Sequence, residues 1–401
     1  MSDTQPVTLH GRTYQLPKKP TVIICVDGFD PEYLADGLAA GILPNMASLM
    51  RTGFHATAQC SMPSVTNANN VSIITGAPTS VHGIATNYFL DRATGAESMI
   101  LDDSLMRGST ILAEMAARGV RVTAVTAKDK LRRILQRGLP PGSCLSTQLA
   151  SEEVLAWLGR AARPEQYSAD LSLCVLDAGT RMLRERRVDL LYLTLSDYVQ
   201  HNHAPDAPEA RAFMAAVDDA VGACLALGAV VGVTGDHGMS DKGGAPPLYV
   251  QDVLERAFGG PGCARVVCPI ADPFVAHHGA LGGFVRVYVP ASHAAQVPAM
   301  VAHMRGFAEV ETALEGAEAA ARWEMPADRE GDFVVVATEG AVLGAREAEH
   351  DLSGLEGRRL RSHGGLSEQD VPVLLSIPVK DGKKTREWKN YDIFDIALNS
   401  Q

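Results

Sequence analysis

The stretch AVVGVTGDHGM, residues 229–239, is a short β-branched run that ends in an acid beside an imidazole. A run of this length, bounded by glycine, suits a strand buried on both faces. Asp236 and His237 at its end suit either a tight turn or a pair of metal ligands delivered by a strand end. The rest of the chain bears on that choice.

Four more runs have the same character: TVIICV (21–26), VRVTAVT (120–126), VDLLYLTL (188–195) and VPVLLSI (371–377). They alternate with stretches of helical periodicity at 105–118, 151–161, 170–186 and 208–227. This pattern predicts an α/β fold, a mostly parallel sheet with helices on both faces. Ligands of such sheets bind beyond the carboxyl ends of the strands. Residues 242–360 read differently, being rich in Ala, Gly and Glu, with strands at 283–289 and 332–338 and a helix near 292–306. The chain then re-enters the first pattern through RSHGGL. The expectation is a core of 1–241 and 361–401 with a smaller α/β cap subdomain, 242–360, inserted into it.

The 401 residues are 46% hydrophobic and carry a formal net charge of -11, which offers no basic stripe for nucleic acid. A small anionic substrate is still admissible, because a few lysines in a cleft outweigh the global sign. Seven scattered cysteines without a C-x-x-C spell no disulfide framework. The polar start, MSDTQPVTLHGRTYQLPKKP, lacks the apolar core of a signal peptide, and no run approaches a membrane span. The expected setting is the cytoplasm, with neither nucleic acid nor membrane as partner. The inserted stretch is a candidate substrate lid or dimer surface, so a homodimer is open.

Chemistry gathers where the predicted strands end. Asp27 follows the first run, Asp197 and His201 follow the run at 188–195, Asp236 and His237 follow 229–234, and His363 lies in the glycine-flanked turn before 371–377. Each alone also suits a helix cap, a turn or a solvated helix. Together they bring three carboxylates and three imidazoles to one sheet edge, a mix that suits zinc and, in two sets, a two-metal site. Thr66, in SMPSVTNANNVSIITG (61–76), stands where a helix begins. It is either a plain N-cap or a nucleophile activated by a metal.

In this order, with TGDHGM and SHGG, these residues resemble the alkaline phosphatase superfamily, in its branch of nucleotide pyrophosphatases and phosphodiesterases with a threonine nucleophile. Within that branch MPSVTNANN, GAPTSVHGIATNYF and TAKDKLRR are similar to the phosphonoacetate hydrolases. The resemblance implies an alkaline phosphatase-like core holding two Zn2+, with Mn2+ or Fe as alternatives. One metal would be held by Asp27, Thr66, Asp236 and His237, the other by Asp197, His201 and His363. Asn87 would bind a phosphoryl oxygen. Lys128 and Lys130, on one side of the chain if locally extended, would receive the carboxylate of a small-molecule phosphonate; read without the resemblance they are an exposed basic loop. The implied reaction is hydrolysis of the C–P bond of phosphonoacetate to acetate and phosphate through a phosphothreonine at Thr66. The alternative within the superfamily is a phosphodiesterase or phosphomonoesterase, and the alternative outside catalysis is a structural zinc protein. His82, His203 and His278 read as loop histidines or as partners orienting ligands; Arg286, within the strand at 283–289, has a reach over the site from the inserted stretch open to it, but nothing local compels that role.

Overall fold

The computed structural model describes residues 5–271, 279–355, 359–380 and 387–401. Its largest sheet has seven strands in the order Phe54–Gln59, Asp370–Leu375, Val230–Gly235, Thr21–Val26, Leu190–Thr194, Val122–Thr126, Cys144–Ser146. The five strands from Val230–Gly235 to Cys144–Ser146 run parallel to one another. Asp370–Leu375 departs from the expected direction: it lies antiparallel to both of its neighbours, giving a mixed sheet. Strand composition does not encode direction, which the path of the returning chain sets.

The central strands are continuous apolar runs because both of their faces are covered. Along Thr21–Val26, Val22, Ile24 and Val26 face a layer that includes Tyr33, Leu176 and Phe213, while Ile23 and Cys25 face Ile73, Ile74 and Phe394. The covering helices start where the sequence marks them. Asp30 caps Pro31–Ala39 by accepting the Glu32 N–H at 2.9 Å, and Pro44 and Pro208 open Pro44–Thr52 and Pro208–Ala226 at positions that need no donor.

Register places the site. Gly235 is paired with Val26, Cys25 with Thr194 and Thr194 with Thr126, so four neighbouring parallel strands end nearly flush. The segments carrying Asp236, Asp27, Asp197 and Lys128 therefore leave the sheet along one edge.

Between the short strands Ser240–Asp241 and Arg361–Ser362, which pair antiparallel, lies a separate four-stranded antiparallel sheet. Its order is Arg265–Val267, Phe284–Tyr288, Phe333–Ala337, Val310–Glu315. One face packs under Val250–Ala257 and Val297–Met304, and the other under Gly316–Arg322, where Met62 joins from the large sheet's side of the molecule. The helix expected near 292–306 begins as a 3-10 turn, Ala291–Gln296, before continuing as Val297–Met304. No helix among the described residues is long and apolar enough to cross a membrane.

Candidate active site

The three carboxylates and three imidazoles among the expected ligands are buried along the sheet edge, and five of the six fall into two groups with one shared member. Asp197, His201 and His363 offer ligand atoms within 4.8 Å of one another, and so do Asp27, Asp197 and His237. Asp197 thus serves both groups, where the expected scheme gave it one. Asp236 belongs to neither: its Oδ1 accepts from the N–H groups of Gly28 (3.2 Å) and His237 (3.0 Å), and its Oδ2 from Asn70 Nδ2 (3.0 Å). Three accepted bonds leave it one lone-pair direction, and Oδ2 stands 3.9 Å from His237 Nε2.

Local backbone explains the convergence. Gly28, at φ +72, takes the turn that sends Asp27 into the site and points its own N–H at Asp236, and a Cβ there would lie 3.1 Å from Gln200 Cβ. Gly238 lets the segment after His237 pass Asp30, whose Oδ2 would sit 2.6 Å from a Cβ at that position. Asp197 precedes the single-turn helix Tyr198–Asn202, so His201 comes round to its face, with Nε2 at 3.2 Å from Asp197 Oδ2.

All three imidazoles are oriented alike. The Nδ1 atoms of His201, His237 and His363 lie 2.8, 2.8 and 2.7 Å from the carbonyl oxygens of Arg361, Gly238 and Ser64. A carbonyl only accepts, so each Nδ1 carries a proton, which leaves Nε2 as the atom that a metal would take. His237 Nε2 faces Asp27 Oδ1 at 3.3 Å, and that oxygen takes no hydrogen bond. The His237 ring stacks on His363 at 3.8 Å between centroids and 11° between planes.

The electrostatics match. Burial, then the charges of Asp197 and Asp236, push the Asp27 carboxyl well above its ordinary range. Burial, then Asp197, push Asp236 up to about 7. Burial holds His237 below, and His363 well below, the ordinary imidazole value. The crowded carboxylates outnumber the Lys128 ammonium that pairs with Asp27 and Asp197, and a divalent cation would offset the remaining negative charge. The donor set therefore fits metal, with Asp27, Asp197, His201, His237 and His363 as the residues to hold it and Asp236 adjacent.

Thr66 is the first residue of helix Thr66–Thr75, with Val65 in the capping position. Its hydroxyl is thus not a plain N-cap, and Oγ1 lies 3.3 Å from His237 Nε2. Asn87 is next to it: its Oδ1 accepts the Asn67 N–H at 3.0 Å, which sets the amide against the helix start. Lys128 Nζ lies 2.8 Å from Asp197 Oδ1 and 3.4 Å from Asp27 Oδ2. The premise that TAKDK is extended does not hold, because Lys128 caps and Lys130 enters the helix Asp129–Leu135. Nor is it an exposed basic loop: both lysines are buried, and Asp129 pairs with Arg132 (2.6 Å) and Arg133 (3.2 Å).

The other singled-out residues lie apart from the ligand groups. His82 is buried between Ser72 Oγ (2.9 Å) and the Ile84 N–H (3.2 Å). His203 contributes its carbonyl to Tyr33 Oη at 2.6 Å. Arg286 does not reach over the site; Glu330 (2.5 Å) and the Ala85 carbonyl (3.2 Å) hold it, so it braces the segment leading to Asn87. His278 lies outside the described residues. Three supporting residues escaped sequence reasoning. Asn70 links Asp236 to Tyr192 Oη, the Arg361 carbonyl backs His201, and Glu368 accepts the Gly238 N–H at its main-chain carbonyl (2.7 Å) and the Gly365 N–H at Oε2 (2.9 Å). Only Asn70 had a local signal, one helical turn after Thr66.

Residues 21–366 match the family described as type I phosphodiesterase / nucleotide pyrophosphatase. The chain belongs to this family. Among solved structures it is similar, at 40% identity, to the phosphonoacetate hydrolase of Sinorhizobium meliloti 1021, with 99% of each chain covered. The TM-score is 0.93 for that enzyme's complex with phosphonoacetate and 0.92 for the complex with phosphonoformate. Two curated relatives align over short stretches. Phosphonoacetate hydrolase of Penicillium oxalicum is 68% identical over 31 residues, 8% of this chain and 43% of that one. An uncharacterized pyrophosphatase/phosphodiesterase of Schizosaccharomyces pombe is 36% identical over 77 residues, 19% of this chain and 15% of that one. For a member of the phosphodiesterase family, a buried hydroxyl beside converging carboxylates and imidazoles is an arrangement able to attack phosphorus.

Proposed function

We propose that this chain is a metal-dependent phosphonoacetate hydrolase with Thr66 as nucleophile and with Asp27, Asp197, His201, Asp236, His237 and His363 around two metal ions. The observation that carries the reading is the Thr66 hydroxyl, 3.3 Å from His237 Nε2 at a helix start, in a chain alike end to end to the Sinorhizobium meliloti enzyme. Zinc, or manganese or iron in its place, would supply charge to lower the hydroxyl's pKa and offset phosphoryl oxygens during in-line displacement.

The chain's own residues then divide the work. Thr66 Oγ1 gives its proton up to solvent and forms a bond to phosphorus as the P–C bond breaks, giving a phosphothreonine. The electron pair left on the methylene spreads into the adjacent carboxylate, and Lys128 and Lys130 stabilise that charge as it grows. The methylene takes a proton from solvent and acetate leaves. Asn87 orients a phosphoryl oxygen. Water then splits the phosphothreonine, restoring the hydroxyl and releasing phosphate. In this proposal residues 1–241 and 361–401 form the catalytic core and 242–360 the cap. A cytoplasmic setting accords with seven buried thiols and no disulfide.

The test is turnover of phosphonoacetate by zinc-loaded protein beside an aryl phosphodiester and an aryl phosphomonoester. The reading expects phosphonoacetate to be preferred, with activity lost to chelator and regained with zinc. Preference for either ester transfers the function to the superfamily alternative.

A further inference from the structure

Arg361 is buried, and its guanidinium meets three separate segments. Nε donates to the Gln200 carbonyl at 2.9 Å, Nη1 to Asp241 Oδ1 at 2.7 Å and Nη2 to the Met239 carbonyl at 3.1 Å. The Tyr33 ring lies against it, 5.8 Å from the guanidinium carbon. Its main-chain carbonyl accepts His201 Nδ1 at 2.8 Å. One residue therefore fixes the backbone just before His201 and the rotation of the His201 ring. It also ties the segment after His237 to the strand that leads into His363.

A buried guanidinium is tolerated only when its donors are met, and placing one beside a cluster built for cations serves no purpose as charge. Here Asp241 offsets the charge and two of the bonds go to carbonyls. What Arg361 supplies is a rigid fork with donors in several fixed directions, which a lysine cannot reproduce.

We propose that Arg361 is a positioning residue for the Asp197–His201–His363 metal set, acting by fixing His201 against His363, whose ring centroids are 5.5 Å apart. The inference rests on reading that triad as metal ligands and is independent of which phosphorus compound is cleaved.

Chelator-stripped wild type, Arg361→Lys and Arg361→Met are titrated with zinc against a chromophoric competitor, with His201→Ala as reference. Both Arg361 variants should bind one zinc equivalent about 10–100-fold more weakly while the other moves little. Arg361→Met combined with His201→Ala should bind no more weakly than His201→Ala alone. Unchanged zinc titrations in folded variants would overturn the inference. So would equal weakening of both equivalents together with a lower metal-free Tm, which would make Arg361 general scaffold. If Arg361→Met fails to fold, Arg361→Lys decides. Wild type that binds zinc yet leaves phosphonoacetate intact would sink the proposed activity and leave the role of Arg361 standing; wild type that binds no zinc would sink the triad itself.

Discussion

Replacing Thr66 with alanine removes one oxygen and leaves the helix start intact, because Val65 occupies the capping position. Thr66→Ala should keep the fold and the tightly bound metal and lose turnover by at least about 1,000-fold, the scale expected when a nucleophile is deleted. Substantial residual turnover at native metal content would remove Thr66 from that role. The lysines are tested by substrate. Lys128→Ala and Lys130→Ala should each lower kcat/KM for phosphonoacetate by about 100-fold, the order of one charge-assisted contact to a buried anion, and lower it far less for an aryl phosphate. Equal losses on both substrates would assign them to general electrostatics. Legibility at this scale followed proximity in the chain. Asp27, Asp197 and Asp236 stood out because each closely follows a predicted strand, and His201 because it lies one turn from Asp197. Arg361 and Glu368 were invisible, since their partners at Gln200, Met239, Gly238 and Lys242 are far away in sequence and no local pattern marks them.

Among the elements, helix Thr66–Thr75 is buried along its whole length although it is rich in asparagine. Its polar side chains are met internally, as where Asn69 Oδ1 accepts the Ser61 N–H at 2.7 Å and Ser72 pairs with His82. That helix could be placed from spacing, but its burial could not, because side chains of this polarity ordinarily signal a wet face. His82 makes the packing testable. Burial pushes its pKa from 6.5 down to about 3, so between those values the unfolded chain takes a proton that the folded chain refuses. Stability therefore falls as pH drops through that window. Metal-free His82→Gln should be less stable than wild type at pH 8. The gap should close by about 1.4 kcal/mol for each unit of acidification below 6.5. Urea unfolding at several pH values checks this, and a constant gap would mean that His82 is not held neutral. The seven strands named from apolar runs are all present to within a few residues, because burial on both faces writes itself into composition. The reversed direction of Asp370–Leu375 does not.

For the whole molecule, the stretch 242–360 is joined to the turn that carries His363 through a buried ion pair between Lys242 and Glu368. Lys242 Nζ donates to Glu368 Oε1 at 2.8 Å and to the Glu339 carbonyl at 2.7 Å, while Glu368 Oε2 accepts the Gly365 N–H and the Glu368 main-chain carbonyl accepts the Gly238 N–H. Lys242→Met strands a buried carboxylate and should cost about 3–5 kcal/mol, with Lys242→Met/Glu368→Gln recovering part of it. Denaturant unfolding of both proteins measures the difference, and a neutral single variant would contradict a clamping role. The α/β class and the second sheet within 242–360 were readable from the change in strand pattern, whereas the pairing of Ser240–Asp241 with Arg361–Ser362 that closes this stretch was not, since two-residue strands carry no periodicity. All of this converges on one reaction. Phosphonoacetate incubated with zinc-loaded protein and followed by phosphorus NMR should lose its phosphonate signal to inorganic phosphate, with acetate released in equal amount. An unchanged phosphonate signal, under conditions where the same protein cleaves an aryl phosphate ester, would contradict the account.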